Sequence, residues 1–95
     1  MSKEQEIMDF LHEKVFDPIL NSKDVPKNIK NGTNLTIGRM THDKTAAEMI
    51  DYFWKSLIKD NSIRFSKLKK SADLPRFEDV FEEFRDKFND EWLRS

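Results

Sequence analysis

Residues 77–92 read FEDVFEEFRDKFNDEW. Phe77, Val80, Phe81, Phe84, Phe88 and Trp92 recur at steps of three and four. At about 100° per residue they fall within roughly a third of a helical wheel. Glu78, Glu82 and Asp86 face away from this stripe, together with Asp79, Glu83 and Asp90. A half-buried strand would alternate with period two, which this stretch does not do. Pro75 suits a first helical turn, where its missing N–H costs nothing. Arg94 suits the negative end of the helix dipole. The pattern predicts a helix over 75–93 with an aromatic core face and a solvated acidic face.

Three more segments share that period. Residues 63–72 place Phe65, Leu68 and Ala72 on one side and Arg64, Lys67 and Lys70 on the other, which predicts a short basic helix. Residues 46–59 follow Thr45, and Glu48 lies three positions on, the spacing of a capping box. Ala46, Met49, Ile50, Phe53 and Leu57 form its main face, and Ala47, Trp54 and Ile58 widen it to about half the circumference. Residues 2–17 carry Ile7, Leu11 and Val15 in steps of four, with Ile19 continuing the pattern. Pro18 should end or kink that helix, because its ring meets the carbonyl four residues earlier. Between these lies the polar stretch 21–44. It predicts a turn at Gly32, a cap at Thr33 and a short helix over 34–40 with Leu35 and Met40 as apolar contacts. Gly38 is then expected where helices approach closely. The fold class expected is all-α: one compact domain of four to five helices over 1–95, orthogonal or bundle-like, without a sheet.

Composition narrows the class of function. The chain has 95 residues, no cysteine and two glycines, which excludes disulfides and thiolate zinc sites and disfavours a turn-rich β fold. Eleven aromatics resist a disordered reading despite 37% charged residues. No apolar leader or membrane-length run is present, so the expectation is a soluble cytoplasmic protein with no membrane role. Asn31-Gly32-Thr33 and Asn34-Leu35-Thr36 match the N-glycosylation pattern, but that chemistry needs the secretory route.

Neither a catalytic centre nor a cofactor or metal site is expected. Gly32 and Gly38 lack the spacing and the Lys-Ser/Thr of a phosphate loop. His12 and His42 lie far apart with no second ligand at metal spacing. Charge is uneven along the chain: residues 21–45 carry net +3 and residues 61–76 net +4, between acidic ends. These basic segments, 23–44 and 64–76, support an alternative function as a nucleic-acid-binding regulator, with Lys27, Lys30, Arg39, Arg64, Lys67 and Lys70 as phosphate contacts. Against it, the basic helix lacks the side-chain series that reads bases. The leading expectation is a non-catalytic protein that acts through protein contact, as a homodimer or an accessory subunit. Phe10, Phe16, Leu20, Tyr52 and Leu93 fall off the main stripes and suggest surplus apolar surface. Tyr52, Trp54 and Ile58 are the expected interface. Arg39 is expected either to lie against an acidic neighbour or to reach a partner.

Overall fold

The computed structural model describes residues 2–55, 74 and 76–95, and all its regular elements are helical. The helix expected over 63–72 lies outside the described residues. So do Pro75, Ile58, Arg64, Lys67 and Lys70.

The chain begins with α1, Lys3–Leu11, capped by the Ser2 hydroxyl, which accepts the Gln5 N–H. A π-helical stretch follows over His12–Phe16, and α2 runs over Asp17–Asn21. Pro18 therefore does not end the helix near 17, and the sequence's other expectation for it, a local distortion, takes the form of this π-helical stretch. In a regular α-helix its ring would press on the carbonyl of Lys14. Here the Asp17 N–H reaches back five residues to the His12 carbonyl, and the wider turn admits the ring. Ile7, Leu11, Val15, Phe16 and Ile19 are all fully buried, and Phe10 nearly so. Phe10 and Phe16 thus belong to the core and are not surplus surface. A helix packed on several sides buries more than one stripe. Here α1 packs on α4, the π-helical stretch on α5, and α2 on α3, as defined below.

Helix α3 spans Lys27–Thr41, far more than the expected 34–40. Pro26, extended at ψ 152°, accepts the N–H groups of Ile29 and Lys30 and starts it. Gly32 makes no turn and Thr33 no cap, since both are interior to the helix and no glycine has a positive φ. Its buried face is Ile29, Thr33, Thr36 and Met40. Two threonines can line a core because their hydroxyls bond within the helix, Thr33 to the Ile29 carbonyl and Thr36 to that of Gly32, each at 2.9 Å. The left-handed conformation that a glycine would favour falls instead on Asp43, at φ 53°. Helix α4, Ala46–Tyr52, opens on the expected capping box: Thr45 Oγ1 accepts the Glu48 N–H at 3.2 Å and Glu48 Oε1 the Thr45 N–H at 3.1 Å.

The expected helix over 75–93 divides into α5, Phe77–Lys87, and α6, Asp90–Arg94. Asn89 makes the division. Its carbonyl oxygen accepts the Trp92 N–H at 2.8 Å, and its amide donates to the Asp86 carbonyl at 2.9 Å. One side chain so satisfies a helix end on each side of it. The aromatic stripe survives the break. Phe84 centres a cluster with Phe53 at 4.3 Å, Phe88 at 4.9 Å and Phe10 at 5.8 Å, and Trp92 packs on Phe88 at 4.8 Å. The two ends of the chain then meet. The Lys3 ammonium donates to the carbonyls of Trp92, Leu93 and Ser95 at 2.6–2.9 Å, capping α6 where the dipole is negative. The radius of gyration is 13.0 Å, close to the ~13 Å of a single domain near this length. The fold is all-α and forms one domain.

Candidate functional site

Of the basic residues of α3, Lys27 and Lys30 lie one turn apart on one side, and Arg39 stands apart from both. On an ideal helix Arg39 lies about 180° around the axis from Lys30 and about 120° from Lys27, and more than ~13 Å along it from either. Lys27 and Arg39 are exposed, and Lys30 is half-buried. The two histidines are also separate. His12 Nδ1 lies 3.1 Å from Asp17 Oδ1, with its ring edge-on to Phe16, while His42 sits beside Asp43 in open solvent. Among the described residues, no three His, Asp or Glu side chains group as a metal site, and no helix is long and apolar enough to cross a membrane.

The expected interface residues part company. Trp54 is half-buried and turns to the core, 5.5 Å from Phe53 and 6.0 Å from Phe84. Tyr52 is also half-buried against the core, and its free side helps to line an open groove of about 520 Å³ with Leu35, Gly38, Arg39, His42 and Lys44.

Leu35 departs most from its sequence expectation. In place of core contacts beside Met40, it is 63% exposed, while Met40 is fully buried. The cause is the register of the long helix. Once Ile29, Thr33, Thr36 and Met40 turn inward, Leu35 points about 130° away from the centre of that face. It is the exposed large hydrophobic residue among those described. Gly38 stands one turn further along. A β-carbon built there would meet nothing within 4 Å, so this glycine serves no close packing and leaves bare backbone in the groove.

Charge in the groove is one-sided. No carboxylate is among its lining residues, although the chain holds 18 acids. Lys44 is half-buried, with its ammonium 5.0 Å from the Tyr52 ring centre, a cation–π contact that fixes its place at the rim. Arg39 makes no ion pair or side-chain hydrogen bond with any described residue. Arg39 is exposed and does not lie against an acidic neighbour among the described residues. The site is thus a leucine, a tyrosine face and bare backbone beneath two cations.

Comparison of the chain with protein-family models, with curated proteins and with solved structures gave no match.

Proposed function

We propose that this chain is a small, non-catalytic helical protein of the cytoplasm that works by protein–protein contact, with the groove between α3 and Tyr52 as the contact site. The observation that carries this reading is Leu35, left 63% exposed next to the bare backbone of Gly38. Covering such a side chain contributes about 1.5–3 kcal/mol. A concave apolar floor gives a partner side chain somewhere to seat, which a lone leucine on a convex surface does not. The partner is a different protein and not a second copy. A twofold contact centred on this groove would bring the Arg39 and Lys44 cations of both copies into one interface with no carboxylate in its lining, and like charges repel. The nucleic-acid alternative has less support from α3, where Lys27 and Lys30 share a side but Arg39 lies more than ~13 Å along the helix and on another side.

The test is affinity capture by the full chain, nuclease-treated, against a Leu35→Asp variant with the same helical circular dichroism. A stoichiometric protein retained by the wild type and lost by the variant is the expected result. An unchanged set of captured proteins, or capture that disappears with nuclease, refutes the reading.

A further inference from the structure

The groove's chemistry narrows what can fill it, given the reading above that it is a protein contact. We infer that its occupant is an acidic helical segment of a partner protein, carrying one bulky apolar side chain with a carboxylate one turn away. Leu35 and Arg39 are four residues apart on α3, so they are neighbours on one side of the helix. An apolar anchor lying on Leu35 and the Tyr52 ring would leave its own helix's next turn over Arg39. The guanidinium offers a planar fork of donors suited to a carboxylate, and no described residue pairs with it. Lys44 adds a second cation, held in place over Tyr52. Lys44 already has Glu48 near it, but no acid lines the groove around Arg39, so an acidic segment meets complementary potential there that a basic or neutral one does not. Gly38 lets the partner backbone approach where any side chain would hold it off.

The probe is a fluorescein-labelled, twelve-residue helical peptide rich in glutamate, with a central leucine–phenylalanine pair. A control peptide carries lysine at every glutamate. Binding to the full chain is read by fluorescence anisotropy and mapped by amide chemical shifts. Saturable binding of the acidic peptide is expected, with shifts gathered at Leu35, Gly38, Arg39 and Tyr52. Arg39→Glu should weaken it by about tenfold or more, as should raising salt well above physiological strength. The lysine peptide should not bind. Failure of the acidic peptide to bind at about 1 mM, the weak end of specific affinity, overturns the inference. So does equal binding by Arg39→Glu. A twelve-nucleotide oligouridine run in parallel overturns it too, should it bind in preference and shift the same amides. Both substitutions are at exposed positions, so circular dichroism should be unchanged. Capture of a natural partner separates the two levels of the reading. A partner lost with Leu35→Asp but kept by Arg39→Glu refutes only the acidic chemistry, while one kept by both refutes the groove as contact site.

Discussion

Replacing Phe84 with alanine should remove a large part of this protein's stability. The ring is fully buried and within 6.0 Å of four other aromatic rings, those of Phe53, Phe88, Phe10 and Trp54. Those neighbours come from three different parts of the chain: α1, the segment continuing α4, and the end of α5. A hole at Phe84 is therefore lined by elements that cannot all move inward together. Truncation of a buried Phe costs about 3–5 kcal/mol, the larger values going with sites that do not collapse. Aromatic pairs add about 0.5–1.5 kcal/mol beyond area, so the upper half of that range is the expectation here. Total stability for a domain of this size is about 5–15 kcal/mol. In urea, with a slope of about 1–3 kcal/mol per M, the midpoint should fall by more than ~1 M. Phe84→Leu keeps most of the volume and should cost less, which leaves a measurable folded protein if the alanine variant does not fold. A loss under about 1 kcal/mol for Phe84→Ala, the scale of ordinary surface changes, would refute the placement of Phe84 at the junction of these elements.

Gly38→Ala should stabilise the fold by about 0.4–1 kcal/mol, since alanine lowers unfolded-state entropy and the new methyl meets open space; a thermal melt that moves downward would contradict the open groove. Lys3→Met should cost about 1–2 kcal/mol by uncapping α6, and amide exchange of residues 92–95 should accelerate more than that of α5. Glu48 offers a pH test. The Thr45 backbone N–H, then its hydroxyl, hold the Glu48 carboxyl below its ordinary value of 4.5. The carboxylate's contribution is therefore present above pH 4.5 and lost as pH falls through the lower folded value. The stability gap between wild type and Glu48→Gln should thus be widest near neutrality and close in acid. A gap that widens as the pH is lowered would contradict the capping geometry.

Features made by neighbours in sequence are legible from the amino-acid order alone. The capping box at Thr45 closes over three residues, so its two hydrogen bonds depend on little beyond Thr45 and Glu48 themselves. The stripes of Ile7, Leu11, Val15 and Ile19, and of Phe77, Val80, Phe84 and Phe88, follow from helical period, and all eight side chains are buried. Arg39 and Tyr52 stand out in the sequence as residues without a place in a stripe, and both line the groove. Asn89 carries a readable signal as well, a capping residue followed by Asp90 and Glu91, but the aromatic stripe running across it masks the break.

Tertiary packing decides the rest. Threonine and leucine in α3 are sorted against their hydropathy: Thr33 is buried and Leu35 exposed. A threonine hydroxyl bonded to its own helix loses little on burial, so the side of α3 that packs on α2 is chosen by fit across the whole helix and not by its most apolar residue. Pro18 reads locally as a stop or a kink, and the structure has the distortion without the stop: the turn before it widens, and burial of Val15, Phe16 and Ile19 outweighs that cost. Lys3 meets carbonyls about 90 residues away, a contact no local pattern encodes. The groove has the same origin. Its leucine and arginine come from α3, and its tyrosine from α4, so its concavity exists only once those segments are set beside each other. Sequence period specifies which residues can share a face of one helix, but which face meets another helix depends on packing all of them at once.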